Sequence, residues 1–211
     1  MSWEFSTDPE FQEKLDWMEK FVREEIFALE SLNLQQAQLE QVIGPLQERV
    51  KEQGLWAAHL PPDLGGQGFG QVKLGLMHEI GGMSFIAPLI FGNQAPDSGN
   101  SEILALAGND EQKERWLYPL LAGDLHSCFS MTEPDTAGAD PTLLKSSAVL
   151  EGDEWVIDGH KWYSSHASVA DFMIVMLVTE PDGRPYQRAS MIIVPAGTPG
   201  VNVVRDIPSM E

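Results

Sequence analysis

The chain has 211 residues, of which 43% are hydrophobic, so it can bury the core of one large domain or two modest ones. Its 32 acidic and 13 basic residues give a net charge of −19, which disfavours nucleic acid and anionic membranes as partners. No apolar run reaches the length of a membrane span, no secretion signal is visible, and the single Cys128 excludes an internal disulfide framework. We therefore expect a protein of a reducing, cytoplasmic compartment.

The first part of the chain has the spacing of amphipathic helices. Asp8 and Pro9 are a typical N-cap and first-turn pair, and apolar residues follow every three or four positions as far as Leu29. A second helix is expected over residues 45–53, ending at Gly54 in the left-handed conformation. Further helices are predicted over residues 72–83, 98–107 and 110–121.

A glycine-rich stretch, LPPDLGGQGFG, occupies residues 60–70. Its spacing matches neither the dinucleotide-binding fingerprint nor a P-loop, and no β-rich run precedes it. It is therefore predicted to be a turn between helices.

After Gly123 the pattern changes to short β-rich runs separated by turn residues, which is typical of an antiparallel sandwich or barrel. The predicted strands cover residues 127–131, 144–151, 154–158, 160–165, 172–179, 189–195 and 201–205. The expected fold class is α+β. An all-helical domain over residues 1–123 is followed by an antiparallel β-sandwich or barrel domain over residues 124–211.

Two stretches of this second part have the chemistry of a ligand site. The first, CFSMTEPDTAGAD over residues 128–140, is a strand that breaks into a loop, leaving free backbone N–H groups and the Thr132 hydroxyl at its rim. The second, GHKWYSSH over residues 159–166, places aromatic rings beside hydroxyls, a combination that holds a planar heterocycle. Each stretch alone is weak evidence for a ligand site, because TEP is common in loops and aromatic pairs in strands usually pack in the core.

In this order and spacing, FSMTEP (residues 129–134), AGAD (137–140) and DEWVIDGHKWYSS (153–165) resemble the acyl-CoA dehydrogenase family. The resemblance runs from about Phe11 to the C-terminus, and the second motif is most similar to the long-chain-type branch that reads KWWSSG. It implies an FAD-dependent enzyme that catalyses α,β-dehydrogenation of acyl-CoA thioesters, with hydride passing to flavin N5.

The resemblance also implies partners and a location. The substrate is an acyl-CoA, the electron acceptor is an electron-transfer flavoprotein, and the complete protein is a homo-oligomer. In a eukaryote the location would be mitochondrial or peroxisomal.

By the same resemblance, the flavin contacts fall in the two stretches described above. Thr132 is the expected hydroxyl partner of the flavin ring and Tyr163 the aromatic that stacks on it. Ala139 stands where many members of the family have a serine near the flavin pyrophosphate. The implied cofactor-binding set is Phe129, Met131, Thr132, Gly138, Ala139, Tyr163, Ser164 and Ser165. No metal site is expected, because the five histidines lack the spacing of a zinc pair.

The family continues with a C-terminal helical bundle, which is absent from this sequence and which carries the catalytic glutamate. We therefore expect no catalytic residue within this chain, and a base supplied by a missing C-terminal domain or by a partner chain. Two alternatives stay open. One is a non-catalytic scaffold subunit that binds flavin or acyl-CoA, and the other is an acyl-CoA oxidase or flavin monooxygenase on the same scaffold.

Overall fold

The structure is a computed structural model that describes residues 6–32, 34, 36–64 and 66–207. The chain divides into two compact units. The first comprises Met1–Ser98 and Ala105–Gly108, and the second comprises Gly99–Leu104 and Asn109–Glu211. The described α-helices precede the strands along the chain, which confirms the predicted α+β class.

The first unit opens with helix α1, Pro9–Phe21. The Asp8 carboxylate accepts a hydrogen bond from the Phe11 backbone N–H at 3.0 Å, which confirms the predicted N-cap. A π-helical turn, Val22–Ile26, carries α1 into the short helix α2, Phe27–Glu30. The buried face of this run is formed by the predicted apolar positions Phe11, Leu15, Met18, Val22 and Ile26, together with Phe21. The last predicted position, Leu29, is half-buried.

Three more helices follow in the first unit: α3 is Gln36–Glu52, α4 is Gly70–Gly81 and α5 is Ala87–Ile90. Helix α3 begins before the predicted start, with Pro45 in its interior, because packing of a long apolar face outweighs one missing backbone hydrogen bond. Gly54 follows it with φ +63°, as predicted. The glycine-rich stretch is a turn segment that holds a short 3₁₀ helix, Pro62–Leu64.

Helix α6, Asp97–Ala107, contributes residues to both units. The second unit continues with α7, Asp110–Gln112, a π-helical turn, Lys113–Leu117, and α8, Tyr118–Ala122. Asn109 and Gln112 form a capping box at the start of α7, so the predicted Asn109 cap is confirmed. None of the helices in the described ranges has the length and apolar character needed to cross a membrane.

The second unit contains one five-stranded sheet. Its strands are β1 (Ser127–Ser130), β2 (Ser147–Glu151), β3 (Glu154–Asp158), β4 (Phe172–Val178) and β5 (Ala189–Pro195). Strand β4 is central: it pairs in parallel with β1 and with the first residue of β2, and antiparallel with β5 along its whole length. Strands β2 and β3 form an antiparallel hairpin.

The sheet corrects the predicted pairing, which was antiparallel throughout. Strands β1 and β4 run in the same direction. The chain crosses over between them through the β2–β3 hairpin and the segment after it, and parallel neighbours need such a long connection. Turn residues in the sequence predict hairpins between consecutive strands, and they do not predict such a crossover. The predicted strands over residues 160–165 and 201–205 do not form and lie outside the sheet.

Candidate functional site

The two stretches singled out in the sequence lie side by side in the second unit. Beyond the end of β1, the Thr132 carbonyl accepts a hydrogen bond from the Trp162 backbone N–H at 2.8 Å. Two residues earlier in the chain, the Ser130 hydroxyl donates to the Ser164 hydroxyl oxygen at 2.9 Å. These contacts bring the rim of β1 and the aromatic segment of residues 159–166 together.

A buried ion pair joins the same two stretches. The Glu133 side chain is 5% exposed, and its Oε1 accepts from Lys161 Nζ at 2.9 Å and from the Ser146 backbone N–H at 2.8 Å. Its Oε2 accepts from the Lys145 backbone N–H at 2.8 Å. Lys161 Nζ also donates to the Met131 carbonyl at 3.0 Å, so both charged groups have hydrogen-bond partners.

These contacts decide how the pair titrates. Burial raises the pKa of Glu133, but hydrogen bonds from Ser146, Lys161 and Lys145 outweigh it and lower that pKa from 4.5 to about 2. Burial lowers the pKa of Lys161, and the nearby Glu133 carboxylate partly offsets this. The Glu133 carboxylate is therefore ionised at neutral pH.

The aromatic segment contains two residues in the left-handed region, Tyr163 with φ +54° and His166 with φ +68°. The Tyr163 side chain is 67% exposed and meets the Trp162 ring edge-on, with centroids 5.5 Å apart. A large exposed aromatic residue in a strained conformation is unusual, and such strain concentrates at binding sites. This backbone is also the reason why the predicted strand over residues 160–165 does not form.

We expect Tyr163→Gly to raise the free energy of unfolding by up to about 1.5 kcal/mol, because glycine removes a left-handed penalty of about 1–2 kcal/mol and costs about 0.5–1 kcal/mol in entropy. The matched control is Tyr186→Gly, since Tyr186 is 89% exposed in a short 3₁₀ helix and has no positive φ. That control should lose about 0.5–1 kcal/mol. Urea denaturation of both variants checks the difference, and equal losses would contradict it.

The remaining predicted residues lie on the same two segments. A Cβ at Gly138 would stand 3.2 Å from Thr132 Cγ2, so glycine lets the loop pass close to this threonine. Phe129 and Met131 are half-buried, while Ala139 and Ser165 are exposed. The structure thus places Gly138 against Thr132, and Tyr163 one residue after Trp162, whose N–H binds the Thr132 carbonyl.

A cavity of about 670 Å³ opens on one side of the aromatic segment. Tyr163, Ser164 and Ser165 line it, together with apolar side chains of β3 and β4 and residues 198–207. Its lining contains none of the predicted residues from the β1 side. The predicted set therefore divides between the wall of this cavity and the rim of the loop after β1.

Two functional features were missed in the sequence. Glu133 and Lys161 stood inside the motifs, but nothing about their spacing showed that they pair, because they are far apart in the chain. Gly159 was named only as the first residue of the second stretch. In the structure a Cβ there would overlap Ser146. The available signal was a lone lysine in one motif and carboxylates, Glu133 among them, in the other.

Comparison with known proteins identifies a family. The family model of the acyl-CoA dehydrogenase N-terminal domain matches residues 8–124, and that of the middle domain matches residues 128–210. "Acyl-CoA dehydrogenase family member 11" of Homo sapiens is 42% identical over 169 residues, which are 79% of this chain and 21% of that protein.

Solved structures agree as well. One from Mycobacterium abscessus, assigned to the acyl-CoA dehydrogenases, has a TM-score of 0.87 and 37% identity, and the match covers 97% of this chain and 55% of that chain. The ChsE4-ChsE5 complex from Mycobacterium tuberculosis has a TM-score of 0.70 and 25% identity, covering 92% of this chain and 49% of that chain. This chain spans about a fifth of the human relative and about half of the solved chains. With both family models matched in sequence order, the chain belongs to the acyl-CoA dehydrogenase family and contains its N-terminal and middle domains.

Proposed function

We propose that this chain binds FAD against the rim of β1 and the aromatic segment, and forms the flavin-holding part of an acyl-CoA dehydrogenase. Members of this family typically bind FAD. The observation that carries the proposal is the hydrogen bond from the Trp162 N–H to the Thr132 carbonyl, which sets a hydroxyl-bearing strand end beside an exposed aromatic ring. Such a pair suits a planar heterocycle with a polar edge.

The residues present fit a flavin. Tyr163 is largely exposed, and Thr132 is only half-buried. Gly138 provides backbone without a side chain directly against Thr132, where even a methyl group would be crowded. In such a site the ring would be held by stacking and a hydroxyl hydrogen bond rather than by charge.

Each residue of the proposed site then has a role. Thr132 would bond the polar edge of the flavin ring, Tyr163 would stack on its face, and Phe129 and Met131 would supply apolar contact. Ser164 and Ser165 would offer hydroxyls on the aromatic segment. Gly138 and Ala139 would approach the phosphates through their backbone N–H groups, because the alanine has no hydroxyl.

The chemistry proposed for the complete protein is α,β-dehydrogenation of an acyl-CoA thioester, for which bound FAD supplies the hydride acceptor. We place the catalytic base in the part of the relatives that this chain does not match, or in a partner chain. The further proposals are an electron-transfer flavoprotein as electron acceptor, a homo-oligomer in the complete protein, and a cytoplasmic location, or a mitochondrial or peroxisomal one in a eukaryote.

Ala139 favours one second candidate, a non-catalytic scaffold subunit that uses the same surfaces without tight flavin binding. The visible spectrum of the purified chain with FAD, before and after anaerobic addition of mixed acyl-CoAs, separates these functions. A bound flavin band that acyl-CoA leaves unbleached would support a flavin-holding part whose base lies elsewhere. Bleaching would show that a carboxylate of this chain acts as the base, and no bound flavin would favour the scaffold.

We expect Thr132→Val to weaken FAD binding about fivefold, because it removes one hydroxyl hydrogen bond, worth about 1 kcal/mol, and keeps the shape of the side chain. Titration of FAD by quenching of its fluorescence measures the affinity. The matched control is Thr179→Val, since the Thr179 hydroxyl is hydrogen-bonded with Ser190 at 2.7 Å and has no place in the proposed site. Equal affinities for the Thr132 variant and the unmodified chain would remove Thr132 from the site.

A further inference from the structure

The buried pair of Glu133 and Lys161 has a geometry that goes beyond a simple ion pair. The Glu133 carboxylate binds three donors from two segments that are distant in the chain: the Lys145 and Ser146 N–H groups just before β2, and the Lys161 ammonium in the aromatic segment. The side chains of Glu133 and Lys161 are only 5% and 12% exposed. The Glu133 carboxylate therefore joins the loop after β1 both to the segment before β2 and to the aromatic segment.

Lys161 binds the residues on both sides of Thr132. Its ammonium donates to the Met131 carbonyl on one side of Thr132 and to the Glu133 carboxylate on the other. The next residue, Trp162, donates its backbone N–H to the carbonyl of Thr132 itself. The backbone of Thr132 is thus held on both sides and at its own carbonyl.

The same contacts support the backbone conformation of the aromatic segment. Tyr163 follows Lys161 and Trp162 directly, and its left-handed backbone needs support from the surrounding structure to persist. Hydrogen bonds at residues 161, 162 and 164 provide that support on either side of it. The position of the ring relative to the Thr132 hydroxyl therefore depends on the Glu133–Lys161 pair.

We propose that Glu133 and Lys161 are positioning residues for the flavin site. They set the distance between the Thr132 hydroxyl and the Tyr163 ring and do not themselves contact the cofactor. This inference rests on the proposed function. A buried ion pair adds little net stability compared with apolar residues of the same size, whereas its directional hydrogen bonds define one register of two segments. Compared with apolar residues in the same places, the pair therefore contributes alignment of the site rather than additional stability.

The test uses the 211-residue chain and three variants, Glu133→Gln, Lys161→Met and the charge-preserving Lys161→Arg. Two quantities are measured: FAD affinity by titration, and amide hydrogen exchange of the Trp162 N–H without FAD. We expect Glu133→Gln and Lys161→Met each to weaken FAD binding at least tenfold and to speed exchange of the Trp162 N–H at least tenfold. Lys161→Arg keeps a cation that can reach both acceptors, so it should recover affinity to within about threefold.

The matched control is Glu151→Gln, which removes one exposed carboxylate of the same unit and should change neither quantity. Faster Trp162 exchange with unchanged FAD affinity in Glu133→Gln would overturn the proposal, since the pair would then be structural only. Unchanged exchange would overturn it as well. If Glu133→Gln does not fold, Lys161→Arg decides: recovery supports positioning, and a folded variant with tenfold weaker binding refutes it.

The two proposals fail in different ways. If the unmodified chain binds no FAD, the proposed function fails in this chain, while hydrogen exchange of the Trp162 N–H still reports whether the pair aligns the two segments. If the unmodified chain binds FAD and all variants bind equally well, the positioning role fails and the proposed function stands.

Discussion

Gly159→Ala is expected to destabilise the sheet-containing unit by about 3 kcal/mol. A Cβ at this position would overlap the Cβ and Oγ of Ser146. It would also lie only 3.0 Å from the Cα of Ser146. Ser146 has little room to withdraw, because its N–H is bound to the buried Glu133 carboxylate. The added methyl group must therefore displace the start of the aromatic segment or break that hydrogen bond, and FAD affinity should fall with stability.

Urea denaturation measures this effect, with Gly197→Ala as the matched control. Gly197 lies in the same unit, has no positive φ, and a Cβ there would meet nothing within 4 Å. The control should therefore be neutral or slightly stabilising. Combining Gly159→Ala with Ser146→Gly, which removes the obstructing side chain, should recover part of the loss. An unchanged free energy of unfolding in Gly159→Ala would show that the two segments are not in close contact.

The second large effect is a loss of stability in acid that depends on Glu133. The folded-state pKa of Glu133 is about 2, below its ordinary value of 4.5, so the unfolded chain binds more protons between these values. The contribution of Glu133 is fully present above pH 4.5 and is lost as the pH falls towards 2. Its full size is about 3 kcal/mol. Lys161 stays protonated in both states over this range and does not alter the sign.

Free energies of unfolding at several acidic pH values, for the unmodified chain and for Glu133→Gln, check this prediction. Hydrogen bonds also lower the pKa values of Asp8 and Asp140, so both proteins should lose some stability in acid. The unmodified chain should lose more, and the difference between the two should shrink steadily below pH 4.5. Parallel curves would mean that the Glu133 carboxylate titrates in the folded state as it does in the unfolded one.

Much of the fold is encoded locally and was predictable from the sequence. Asp8 caps α1 because a carboxylate can accept from the free N–H groups of the first turn. The predicted strands over residues 154–158 and 189–195 match β3 and β5 at both ends, because turn residues bound both runs. The two motifs were recognisable as a pair through their resemblance to the acyl-CoA dehydrogenase family.

Contacts between distant parts of the chain determined the rest. The parallel pairing of β1 with β4 joins strands that have a hairpin between them, and no local pattern specifies which strands become neighbours. The segment over residues 160–165 has the composition of a strand, yet side-chain and backbone bonds to residues 130–133 hold it in an irregular conformation.

By itself, the sequence determined the helix-then-sheet order, the caps, the turns and the residue types of the site, because these depend on neighbours in the chain. Only the tertiary structure decided that Glu133 binds Lys161 and that Gly159 lies against Ser146. Those contacts form between segments brought together by folding. Their energies come from burial and close packing, which spacing along one chain does not encode.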